Sequence, residues 1–215
     1  MDVNPDLTDI RPTLFSGNYE RATALFQHRF FPREEGGTNV RQVWIDVQVQ
    51  RSLALANQGR CAEALDVAEH LGSAVAGLAF TRDGLEPVLK SARTNYLLGS
   101  AYLRCGKSAE AQARFAAAAS SDSAPELRWA WSAAQKLPGF DPEQWQKRLE
   151  SALKQAEETS GTNNLSAWWF YNMGSLQQAL GRTAEADATL QKVFLLPDHM
   201  LVYHLTRLAR ARSKE

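Results

Sequence analysis

One stretch limits what this chain can fold into more than any other: ARTNYLLGSAYLRCGKSAEAQARFAAAA, Ala92 to Ala119. Asn95, Leu98 and Tyr102 recur at helical spacing with Ala101 beside them, which predicts one helix. Cys105-Gly106-Lys107-Ser108 then breaks it. Gly106 suits the left-handed backbone that ends helices, and Ser108 is placed to cap the helix that follows. In the second half Ala111, Phe115 and Ala118 fall on one face. A small residue at 111 lets the two helices cross closely, and Phe115 fills the space below. Gly99 sits inside the first helix, where glycine costs about 1 kcal/mol relative to alanine. Its use there is the close approach of a neighbouring backbone.

Worn copies of the pattern occur along the chain, with turn glycines at 17, 59, 106, 139 and 181. In SGNYERATALF, Gly17, Tyr19, Ala22 and Phe26 take the turn and second-helix parts. Trp44, Val47, Arg51 and Leu55 carry the next first helix, and Ala64, Ala68 and Leu71 its partner. Ser52 stands where a mid-helix glycine is expected. Pro125 opens the helix of PELRWAWSAAQKL, Asp141 caps the next with Pro142 at its first position, and Trp145, Leu149 and Leu153 form its buried stripe. Phe170, Met173, Gly174, Gly181, Ala186 and Leu190 restore the regular pattern. In the tail, Met200, Leu201, Leu205 and Leu208 make a last amphipathic helix. Its Arg-rich end suits the negative pole of a helix.

Leu98, Gly99, Tyr102, Gly106, Ala111, Phe115 and Ala118 together resemble the tetratricopeptide repeat, a helix–turn–helix unit of about 34 residues. The family's usual early aromatic is Asn95 here, and its proline after the second helix is absent. The resemblance implies an all-α, right-handed α-solenoid with a C-terminal capping helix. A single array over 1–215 is expected: a degenerate repeat at 1–29, a loop at 30–39, a repeat at 40–71 and an insertion at 72–87. A repeat at 88–121, an irregular repeat at 124–159, a repeat at 163–197 and a capping helix at 198–215 follow. The apolar Val75, Leu78 and Phe80 suggest that the insertion packs down. A narrower resemblance rests on the Glu-Gly-Gly loop at 35–37, the insertion and LLGSAYLRCG. It points to the C-terminal repeat region of large bacterial proteins whose N-terminal domain has no known function. The abrupt start, MDVNPDLTDI, fits a piece of such a protein.

The formal net charge is zero, which argues against a general nucleic-acid or anionic-membrane binder. RWAW is therefore not read as a stacking platform for single strands. No apolar run approaches the length of a membrane span, and the N-terminus has no signal pattern. Cys61 and Cys105 fall in two different turns, so a disulfide is not expected and a reduced, cytoplasmic setting is. His28, His70, His199 and His204 form no metal-ligand pair. Glu34 and Glu35 are neighbours on a loop, read as solvated carboxylates. No phosphate-binding or nucleophile motif is present. The reading is therefore of no enzyme, no cofactor and no metal.

Trp168-Trp169-Phe170-Tyr171 cannot all point inward, because consecutive helical residues are about 100° apart. The resemblance places first helices along a concave face. The residues there that avoid the packing stripe are Arg93, Tyr96, Ser100, Trp129, Trp168, Tyr171 and Ser175. Aromatics with a few polar groups suit an extended peptide or a partner helix. Arg93, Asn95 and Asn172 do not form the lysine and asparagine clamp that some family members close on a peptide C-terminus. The expected function is a non-catalytic protein-interaction or scaffold module. The alternative is an accessory repeat region of a larger carbohydrate-related bacterial protein, packing on another domain or making a homodimer.

Overall fold

The structure, a computed structural model, describes residues 10–26, 29–30, 40–73, 78–79, 85–159, 166–197 and 200–212. The chain divides into two compact units, 1–120 and 121–215. Unit one contains α1 (Ile10–Phe15), α2 (Tyr19–Phe26), α3 (Val40–Asn57) and α4 (Cys61–Glu69). It continues with α5 (Leu85–Lys90), α6 (Ala92–Arg104) and α7 (Ser108–Ala119). Unit two contains α8 (Leu127–Ala134), preceded by a 3₁₀ turn at Ala124–Glu126, then α9 (Pro142–Thr159). It ends with α10 (Ala167–Ala179), α11 (Thr183–Val193) and α12 (Met200–Arg212). Consecutive helices pack as pairs: α1 with α2, α3 with α4, α6 with α7, α10 with α11.

The turns follow one rule. Gly17, Gly59, Gly106, Gly139 and Gly181 all have φ between +73° and +78°, the left-handed region that a side chain disfavours. At Gly106 the amide donates to Leu103 O at 3.1 Å, and the Lys107 amide to Tyr102 O at 2.9 Å. Gly59 with Arg60 and Gly181 with Arg182 repeat the pattern. Orphan carbonyls at the helix end are thus satisfied by the chain that leaves it. This corrects the expectation that Ser108 caps α7. The cap position falls on Lys107, whose side chain makes no capping bond, and Ser108 is already helical. The first helices α6 and α10 are capped by side chains instead. Ser91 Oγ accepts from Thr94 N at 3.2 Å, and Ser166 Oγ from Trp169 N at 3.1 Å. Asp141 Oδ1 caps α9 as expected, accepting from Glu143 N and Gln144 N.

Packing inside a pair follows from the same register. Seven residues before the turn glycine stands Gly99 or Gly174; five after it, Ala111 or Ala186; nine after it, Phe115 or Leu190. A Cβ on Gly99 would lie 2.8 Å from Cε1 of Phe115, and one on Gly174 2.6 Å from Cγ of Leu190. Ala111, Phe115, Ala186 and Leu190 are all fully buried. In the α3–α4 pair the first position is Ser52 and the last is Ala68. The smaller facing residue leaves room for the serine, whose Oγ donates to Ala64 O at 2.8 Å. Asn95, standing where the family has an aromatic, is buried and hydrogen-bonded. It accepts from Arg114 Nη1 at 3.1 Å and donates to Ser91 O at 3.1 Å.

α3 is buried around most of its circumference, because α2, α4, α5 and α6 all pack on it. Trp44 meets Phe26 edge to face, with centroids 5.2 Å apart. In α9, Trp145, Leu149 and Leu153 are the buried stripe. α12 packs on α10 and α11, burying Leu201, Val202, Leu205 and Ala209. Arg210 is hydrogen-bonded to Asp187 at 2.7 Å, and Gln178 Nε2 donates to Ala209 O at 3.1 Å. A last helix that covers the pair before it matches the capping role expected of it.

Two features depart from the sequence reading. Cys61 and Cys105 are joined by a disulfide. The turns of consecutive pairs stack, so their Cα atoms come within 5.4 Å, a spacing a bridge needs. Distance along the sequence hid that proximity. The loop and the insertion also meet: β1 (Arg29–Phe30) pairs in parallel with β2 (Leu78–Ala79). The short helix α5 overlaps the end of the insertion, and its Leu85 is buried. The Glu-Gly-Gly loop, Val75, Phe80, His28, His199, Glu34 and Glu35 lie outside the described residues.

Candidate binding faces on the first helices

Arg93, Tyr96 and Ser100 stand thirteen, ten and six residues before Gly106 on α6. Trp168, Tyr171 and Ser175 hold the same three positions before Gly181 on α10. The register therefore gives each of these helices one equivalent face. The two sets belong to different units.

On α6 the face is largely engaged. The Arg93 side chain is 12% exposed and pairs with Asp46 of α3, itself 2% exposed. Tyr96 is half-buried with its ring 6.0 Å from that of Phe115. Ser100 Oγ donates to Tyr96 O at 2.9 Å, one turn back on the same helix. Asp46 was not singled out from the sequence, yet its position carries a signal. It lies thirteen residues before Gly59, as Arg93 does before Gly106. Opposite charges at one register position on adjacent first helices meet across the stack.

On α10 the face differs. Trp168 is half-buried and sets its ring edge to face with Tyr171, centroids 5.8 Å apart. Tyr171 and Ser175 are each 3% exposed, and among the described residues neither the Tyr171 hydroxyl nor Ser175 Oγ has a hydrogen-bond partner. Gln177 Oε1 and Trp169 Nε1 on the same helix are also unpartnered. Trp129, on α8, is 5% exposed with the Arg128 guanidinium 4.8 Å from its ring centre. It is a buried side chain and not a solvent-facing one.

A recess of about 330 Å³ lies at the first turn, lined by Ser16, Asn18, Tyr19, Arg51, Leu55 and Arg60 among others. Arg60 closes one side by pairing with Glu20 at 3.2 Å and Glu63 at 2.7 Å. Hydrogen bonding to Arg60 holds the Glu63 carboxyl below its ordinary range. Lys90 does the same for Glu86 on α5. Among the described residues, no group of three or more His, Cys, Asp or Glu side chains could hold a metal ion. Nor is any described helix long and apolar enough to cross a membrane.

The family model of the tetratricopeptide repeat matches residues 92–125 and 170–197. Two stretches of this chain are thus similar to tetratricopeptide repeats. They coincide with the two pairs in which a glycine faces Phe115 or Leu190. The architecture is all-α and tetratricopeptide-like, with helices packed in neighbouring pairs. Tetratricopeptide repeats generally serve as protein-interaction modules. No curated protein and no solved structure matches the chain.

Proposed function

We propose that this chain is a non-catalytic protein-interaction module whose first helices bind an extended peptide or a partner helix. The observation that carries this reading is the α10 face, where Trp168 is half-buried beside two unpartnered hydroxyls, on Tyr171 and Ser175. A buried polar group without a partner costs about 1–3 kcal/mol, so these hydroxyls reward a ligand that shifts the half-buried Trp168 ring and reaches them. Arg93 and Tyr96 offer the corresponding positions on α6, with Arg93 already committed to Asp46. Trp129, Tyr171 and Ser175 are all buried, so the half-buried Trp168 is the side chain that a ligand meets first on this face. The disulfide bears on location: a cytoplasmic setting would keep Cys61 and Cys105 reduced, whereas their bridge fits an oxidising compartment.

The test is a selection from a display library of random linear peptides, followed by titration of the selected peptide. Tyr171→Phe and Ser175→Ala should weaken binding by about tenfold or less, the value of one or two hydrogen bonds. Neither change should lower the melting temperature, because neither removes a bond within the protein. Affinity unchanged in both variants would remove the α10 face from the proposal.

A further inference from the structure

The second and third helix pairs are held together by two separate fastenings. Asp46, the seventh residue of α3, and Arg93, the second residue of α6, form a buried ion pair. Cys61 and Cys105, in the turns that follow the C-terminal ends, form the disulfide. At a rise of about 1.5 Å per residue, thirteen residues from Asp46 to Gly59 put the two fastenings about 20 Å apart. At the turn end, Leu55, Ala56, Ala64 and Ala101 form a buried cluster, with Leu53, Val67 and Cys105 partly buried against it. Most of that cluster is alanine, which buries little area. Both cysteines are only half-buried, so a small reductant reaches the bridge.

We propose that the Cys61–Cys105 bridge is a reversible clamp. Its reduction lets the second and third helix pairs part at the turn end while the Asp46–Arg93 pair still holds them. The two sulfurs are not equivalent. Cys61 is the first residue of α4, at the positive pole of that helix. Cys105 is the C-terminal cap of α6, at a negative pole. The Cys61 thiolate is therefore the better stabilised of the two and the better leaving group. A dithiol reductant opens the bridge in two exchanges. Its first thiolate attacks the Cys105 sulfur, the Cys61–Cys105 bond breaks, and Cys61 departs as a thiolate. Its second thiol attacks the reductant sulfur of the mixed disulfide, releases Cys105, and closes the reductant as a disulfide. Two electrons and two protons pass from reductant to protein.

The experiment is hydrogen exchange by mass spectrometry on the full chain, oxidised and reduced, with the Cys61→Ser/Cys105→Ser variant as control. Reduction should speed exchange in segments 55–64 and 101–111 and leave 43–49 and 93–97 protected. The melting temperature should fall by about 10 °C, the order expected when a 44-residue separation loses its cross-link. The serine variant should match the reduced protein and ignore reductant, and reoxidation of the parent should restore protection. Glutathione followed by alkylation should leave glutathione on Cys105 and the alkyl group on Cys61. Equal exchange in both redox states would overturn the clamp, and so would loss of protection around both fastenings together. Free thiols persisting after treatment with glutathione disulfide would also overturn it. The reverse labelling would overturn the order of exchange.

Discussion

A methyl group on Gly174 would lie 2.6 Å and 2.8 Å from two carbons of Leu190 and 3.3 Å from Ala186 O. Overpacking of this kind costs about 1–3 kcal/mol, while alanine regains about 1 kcal/mol of helix propensity. Gly174→Ala and Gly99→Ala should therefore destabilise modestly, and Ala111→Leu by about 1–3 kcal/mol, each read by thermal melts. Gly174→Ser combined with Leu190→Ala should cost less than the two changes summed, because Ser52 already coexists with Ala68 at these positions. The close crossing at Ala111 was legible because a small residue at a fixed offset from a turn glycine has one physical use, but Gly99 was expected to meet a backbone and instead meets the Phe115 ring. Asn95 was legible as helical but not as a hydrogen-bonded core residue, since its partner Arg114 lies nineteen residues on. Ser108 misled because serine before an acidic helix start suits a cap, yet the left-handed Gly106 had already fixed the cap one residue earlier.

Between elements, the Asp46–Arg93 pair joins α3 to α6. Removing one partner of a buried pair costs about 3–5 kcal/mol, because the other charge stays buried. Asp46→Ala should lose on that order in a denaturant titration. A joint change of Asp46 and Arg93 to apolar residues should lose much less. Arg60 joins α2 and α4 at the surface through Glu20 and Glu63. Glu63 titrates lower folded than unfolded, so its stabilisation is present above the ordinary carboxylate range and is lost as acid protonates it. Arg60→Ala should lower the melting point slightly at neutral pH, and the difference should vanish in acid. The sequence showed where most of the turns fall, but not which elements lie side by side. That is why the disulfide, the parallel β1–β2 pairing and the Asp46 partner of Arg93 were found only in three dimensions.

At the scale of the molecule, one register runs through most helix pairs, and function depends on what that register leaves open. The α6 and α10 faces were legible as faces because their residues avoid the packing stripe. Their occupancy was not, because burial of Tyr171, Ser175 and Trp129 depends on neighbouring helices and not on helical phase alone. The most direct measurement of the binding account is hydrogen exchange of the oxidised protein with and without a display-selected peptide. The account predicts new protection on first helices, centred on 167–176 of α10. New protection confined to the second helices α7 and α11 would contradict it.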